Sequence, residues 1–294
     1  MKTNKSIILL IVLIVLTIVG LTTLMICLMN KKINIKSFGI FNQKIENLEI
    51  DETYENIYEK INIETEAADI EIKTSDSDNI KIKIYSEKEK AKITDKETEL
   101  DIRVETKECK FICLNKKISK IELYLPENYE KEININNKYG DIDIKSFEKS
   151  NINIIEDAGD IKLEKANKVD IKNNYGDIKI DEIKQGNIKQ SAGDVEINKV
   201  DNIKIKNNYG DIKINEISEY IEIDEDAGDV KIKTINITKD SSIKNNVGDI
   251  RIEKTNDIYI DAKTDVGSTR INENNHKSDI TLKIENNVGD IKVN

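Results

Sequence analysis

From residue 60 onward, apolar and polar side chains alternate in short runs. Ile61-Asn62-Ile63, Asp69-Ile70-Glu71-Ile72 and Ile80-Lys81-Ile82-Lys83-Ile84 open the pattern, and Val169-Asp170-Ile171-Lys172-Asn173 and Asp177-Ile178-Lys179-Ile180 repeat it further on. A period of two marks a strand with one buried face. Ile171, Ile178 and Ile180 are therefore expected to point inward, and Asp170, Lys172 and Lys179 outward.

A recurring corner separates these runs. Gly-Asp followed by Ile or Val occurs at Gly140-Asp141, Gly159-Asp160, Gly176-Asp177, Gly193-Asp194, Gly210-Asp211, Gly228-Asp229, Gly248-Asp249 and Gly289-Asp290, while Gly267 is followed by Ser268. Successive corner glycines lie 17 to 22 residues apart, and self-similarity at such a period is the signature of a solenoid. Glycine allows the positive φ or close backbone approach that a tight corner needs. Two strands per repeat cannot bury their own apolar face, but repeats stacked at about 4.8 Å build a continuous isoleucine core. The expected fold is an all-β solenoid of 17–22-residue Gly-Asp-Ile repeats, preceded by one N-terminal transmembrane helix.

The array starts before its regular part. Ile61–Ile72 (INIETEAADIEI) aligns with Ile152–Leu163 (INIIEDAGDIKL), with Ala68 in the place of Gly159. Residues 59–131 thus read as diverged N-terminal repeats, 132–294 as the regular solenoid, 33–58 as a stalk or lead-in and 1–32 as a membrane anchor. A second period lies over the first: the residue before each corner glycine runs Tyr139, Ala158, Tyr175, Ala192, Tyr209, Ala227, Val247, Val266, Val288. Large beside small suggests a double repeat with Tyr nested over Ala in adjacent rungs. Asn137, Asn173, Asn207, Asn245 and Asn286 share one slot, where amides satisfy turn backbone or form a ladder.

Ile7 to Met29 carries no charge over 23 residues, enough for a helix to cross a hydrocarbon core of about 30 Å. The run is too long for a signal-peptide core, and no small-x-small site precedes Lys31. Ile26 before Cys27 does not suit a lipoprotein cysteine. Lys2 and Lys5 face Lys31, Lys32 and Lys36 across the span, so flanking charge does not choose an orientation. One large domain after an N-terminal anchor usually lies outside the cytoplasm. The expectation is a single-pass cell-membrane protein with residues 33–294 extracytoplasmic.

The chain has 46 Lys plus Arg against 56 Asp plus Glu, a formal net charge of −10. The five cations before residue 37 flank the anchor, so the remainder carries 41 against 56, or −15. Nucleic acid is excluded as a partner, because its phosphates would be repelled. The aspartate row invites a cation, since in-register like charges destabilise a sheet. The chain nevertheless lacks the GGxGxDxUx signature of calcium rolls, and Lys stands two residues after many of the aspartates. The corner residues are accordingly read as structural, with no metal or cofactor.

Catalytic constellations are missing from the sequence. The one histidine, His276, lies in the polar stretch Asn274-Asn275-His276-Lys277, which reads as an exposed loop. Cys109 and Cys113 are candidates for a small disulfide loop in an oxidising compartment or for two reduced thiols. The last repeat ends at Gly289-Asp290-Ile291-Lys292-Val293 with one residue after it. An uncapped rung offers unpaired backbone groups, so this end is expected to contact another chain or to be blunted by its charges.

The run Ile61–Ile72, then Ser75-Asp76-Ser77-Asp78 and Ile80–Ile84, then Ile121-Glu122-Leu123-Tyr124-Leu125-Pro126 and the series from Tyr139-Gly140-Asp141-Ile142 resemble the bacterial "putative adhesin" family of toastrack-type β-strand-repeat proteins. The resemblance covers residues 58–294 and implies a β-solenoid-like domain displayed from the cell envelope, with no catalytic residues to carry over. The leading expectation is a membrane-anchored, non-enzymatic surface protein that binds a protein or glycan ligand. An envelope-stress sensor with a membrane partner is the alternative. A polysaccharide-active β-helix enzyme comes third, since it needs two carboxylates at a defined separation.

Overall fold

A computed structural model describes residues 41–87, 90–105 and 116–294. The anchor segment 7–29, Cys109 and Cys113 lie outside the described residues. Among the described residues there is no helix long and apolar enough to cross a membrane, and the secondary structure is entirely β.

The regular body is a parallel β-solenoid. Ile161–Tyr175 pairs along its length with Ile178–Ala192, which pairs in the same way with Val195–Tyr209, and that strand with Ile212–Ala227. Each repeat is thus one ladder-forming strand closed by a Gly-Asp corner, where the sequence suggested two separate strands. The inward positions explain how one strand can wrap around a core. In the turn from Ile161 the buried residues are Ile161, Leu163, Ala166, Val169, Ile171 and Asn173. Inward spacing widens from two to three on either side of Ala166, so the chain bends there twice without breaking the ladder.

Stacking puts like positions in columns. Ile161, Ile178, Val195, Ile212, Val230, Ile250 and Ile291 form one such column, all buried. The predicted sidedness holds: Ile171, Ile178 and Ile180 are buried, and Asp170, Lys172 and Lys179 are exposed.

The two ends differ from a simple reading of chain order. Lys60–Ser75 stacks in parallel beneath the turn at 132–144, with Ile61 opposite Ile133 and Ile70 opposite Ile142. Its other edge pairs with Glu99–Val104 and with 119–126. Antiparallel strands then close this end: Ala91–Asp95 lies on Glu99–Val104, and Ile80–Tyr85 lies between 120–124 and Leu48–Tyr54. The lead-in segment therefore contributes a strand to the cap.

At the opposite end the last repeat in sequence is not the last in space. Thr281–Val288 pairs on one side with Ser241–Val247 and on the other with Tyr259–Val266. Ile291–Val293 is likewise held between Ile250–Ile252 and Thr269–Ile271. The expectation of an uncapped rung at Gly289–Val293 is corrected by this pairing, since both of its edges are occupied. The outermost turn is 259–271, and the following loop folds back on it: the Asn274 side chain accepts from the Ile260 N–H and donates to the Ile260 carbonyl, each at 2.8 Å. His276 sits in this exposed loop with its ring 5.3 Å from that of Tyr259.

Candidate interaction edge

Every feature singled out in the regular repeats converges on the Gly-Asp corner. At Gly193 φ is +138°, and a β-carbon there would lie 2.1 Å from the Gly176 carbonyl oxygen of the preceding turn. Only glycine meets both constraints, because an L side chain is disfavoured at that φ and the rungs could not close around a methyl group. Close approach completes the backbone ladder around the bend: the Gly193 N–H donates to Tyr209 O at 2.9 Å, and the Val195 N–H to Asp211 O at 2.9 Å.

The aspartates form a second ladder. The carboxylate of Asp69 accepts from the Asp141 N–H, Asp141 from Asp160, Asp160 from Asp177, Asp177 from Asp194 and Asp194 from Asp211, at 2.8 to 3.2 Å. Asp211 continues to Asp229, Asp229 to Asp249 and Asp249 to Asp290, at 2.9 to 3.1 Å. The ladder ends at Ser268, whose N–H and hydroxyl both donate to Asp290 at 2.8 and 3.0 Å. Serine therefore stands in the outermost turn, where no further rung needs an acceptor. These hydrogen bonds hold the Asp229 and Asp290 carboxyls below the ordinary range, with Lys231 adding to the effect at Asp229.

Just inside the corner runs a buried polar column: Asn137, Glu156, Asn173, Gln190, Asn207, Glu225, Asn245 and Asn286. Its amides donate to backbone carbonyls at the corner, as from Asn137 to Ala68 O (3.0 Å), Gln190 to Gly176 O (2.8 Å), Asn245 to Gly228 O (2.9 Å) and Asn286 to Gly248 O (2.8 Å). The Asn slot anticipated from sequence thus serves the corner backbone. Glu156 and Glu225, each 1% exposed, occupy the same slot. Burial pushes the Glu156 carboxyl up to about 8 and Glu225 up to about 7, against the opposing pull of the Asn137 and Asn207 amides. One oxygen of each accepts from a backbone N–H, of Ala158 and Ala227 respectively. The other oxygen has no partner, and neither do Asn137 Oδ1, Asn173 Oδ1, Asn207 Oδ1 or Asn245 Oδ1. When protonated, each carboxyl carries a donor that the ionised form lacks.

Outside the corner, the residue before each glycine faces solvent. Tyr139, Ala158, Tyr175 and Ala192 stand in register on successive turns, as do Tyr209, Ala227, Val247, Val288 and Val266. The predicted Tyr-over-Ala stacking is present, but on the outer surface: Tyr139 is 41% exposed, Tyr175 63% and Tyr209 64%. Lys138, Asp157, Asn174, Ser191 and Asn208 immediately precede the column residues in the chain, and the corner aspartates follow the column residues by two positions. Asn174 donates to Asp157 at 2.9 Å across neighbouring turns.

Stacked parallel turns, glycine corners and an internal polar column define a β-solenoid repeat protein. A model of the Toastrack DUF4097 family matches residues 58–294, and the chain belongs to that family. A "putative lipid binding protein" from Parabacteroides distasonis is similar in fold, at 15% identity and a TM-score of 0.50, over 85% of this chain and 99% of that one. A "putative adhesin" from Bacteroides fragilis shares 17% identity over 86% of this chain and 100% of its own, with a TM-score of 0.44. A "putative cell adhesion protein" from Clostridium sporogenes shares 15% identity over 84% and 99%, with a TM-score of 0.24. No curated protein matches the chain.

Proposed function

We propose that this chain is a non-enzymatic display protein of the cell envelope, held by residues 7–29 in the membrane and presenting the solenoid as a rigid interaction surface, most simply for adhesion. The observation that carries this reading is the exposed column of Tyr139, Tyr175, Tyr209, Val247, Val288 and Val266 on a corner whose backbone is tied rung to rung. Large side chains left in solvent on a rigid scaffold fit recognition, because little conformational entropy remains to be lost on binding. The polar groups beneath them are engaged in holding the turns together, which suits a scaffold better than turnover. The test is attachment. Cells carrying the full chain should adhere to a surface that cells carrying only residues 1–57 do not. Equal adhesion by both would contradict the reading.

A further inference from the structure

The corner column has a spacing that selects a ligand. Tyr139, Tyr175 and Tyr209 occupy every second turn, with Ala158 and Ala192 between them. Two turns advance about 9.6 Å. That is about the length of one disaccharide in an extended β-linked glycan, whose successive sugars are rotated so that the same ring face returns once per disaccharide. We infer that this edge binds a linear β-linked glycan, neutral or amino-substituted, with alternate sugar rings stacked on Tyr139, Tyr175 and Tyr209. The inference rests on the display reading above and names the ligand class for the same edge.

The flanks suit such a polymer. Asp160, Asp177 and Asp194 each give one oxygen to the ladder and are exposed, so their second oxygens can accept from sugar hydroxyls. Asn174 and Asn208 immediately precede Tyr175 and Tyr209 in the chain and are half-buried; Asn174 already donates to Asp157 at 2.9 Å, and its amide oxygen remains an acceptor. Charge discriminates against other occupants. The carboxylate row repels anionic lipid headgroups and nucleic-acid phosphates. In the Tyr139–Tyr209 part of the column the large rings recur only at every second turn, with the small Ala158 and Ala192 between them. Separate ring platforms beside hydrogen-bonding groups match a chain of sugars.

The chain has 10 Tyr and no Trp, so tyrosine fluorescence of the detergent-solubilised full chain sums all ten rings, and the Tyr175→Ala and Tyr209→Ala variants assign the edge's share. Titration with β-linked N-acetylglucosamine hexamer and cellohexaose should show saturable binding of at least one, much weaker for its monomer. Tyr175→Ala and Tyr209→Ala should each weaken binding about tenfold, as for a central aromatic contact. Both rings are exposed, so melting should be unchanged. Tyr220→Ala, away from the corner, should leave affinity intact. Absence of binding to either oligomer, or binding indifferent to Tyr175 and Tyr209, would overturn the assignment. Tyrosine-dependent sedimentation with phosphatidylcholine vesicles in place of glycan binding would overturn it in favour of lipid. Failed glycan binding with intact adhesion of cells would remove only the ligand class; loss of adhesion specificity with glycan binding intact would remove the display reading instead.

Discussion

Replacing Glu156 and Glu225 by glutamine should stabilise the protein in alkaline solution and flatten its pH dependence. Both carboxyls are buried, and burial pushes them well above the ordinary glutamate range, up to about 8 for Glu156 and about 7 for Glu225. A raised pKa means that the folded chain holds the proton more tightly than the unfolded chain. Their contribution is therefore complete below about pH 4.5 and is lost as pH rises through 7 and 8. At about 1.4 kcal/mol per unit, the shifts correspond to about 5 kcal/mol for Glu156 and about 3 kcal/mol for Glu225 between pH 4.5 and 9. Other shifted groups act elsewhere: Glu122, held by Lys120 and Lys73 against its own burial, sits at about 2, and the paired lysines are raised above their ordinary range. Gln190 already shows that glutamine fits the slot, donating to Gly176 O. Urea unfolding of the full chain at pH 5, 7 and 9 should show the native midpoint falling with pH and the Glu156→Gln, Glu225→Gln double variant losing most of that slope. Stacked repeats can open separately, so amide exchange over 152–158 and 221–227 gives the local value. An unchanged slope in the double variant, or a variant less stable than the native chain at pH 9, would refute the reasoning.

Substitutions at three further positions test the rung geometry. Gly193→Ala introduces a β-carbon 2.1 Å from Gly176 O at a φ of +138°, and should cost about 3 kcal/mol of unfolding free energy, read from urea denaturation. Ile188→Ala hollows a fully buried column position and should cost about 2–5 kcal/mol by the same measurement. Asp194→Ala removes the acceptor of the Asp211 N–H and should cost about 1 kcal/mol, with faster exchange of that amide, while Asp194→Asn keeps an acceptor and should be near neutral.

The parts of this fold that were legible in the sequence are those written locally. Period-two alternation gave the inward isoleucines, and the Gly-Asp recurrence gave the corner, because each depends on residues a few positions apart. Turn order was not legible. Parallel turns offer nearly identical columns to one another, so nothing in Thr281–Val293 marks it for the place between 241–255 and 259–271. The one local trace is Ser268: a corner without a carboxylate suits the turn that needs no acceptor for a next rung. Tyrosine exposure also escaped, because the two-residue parity that places Asn173 inside would place Tyr175 inside as well, had the chain not bent at Gly176. Glu156 and Glu225 could have been found by aligning them with Asn137 and Asn173, which assigns them a buried slot.

Protease accessibility on intact cells tests display of the solenoid most directly. The full chain, carrying a tag after residue 294, is digested before and after the membrane is breached. The account predicts loss of the 33–294 portion from outside in unbroken cells, with digestion concentrated at exposed loops such as 272–280. Protection of that portion until the membrane is opened would contradict it.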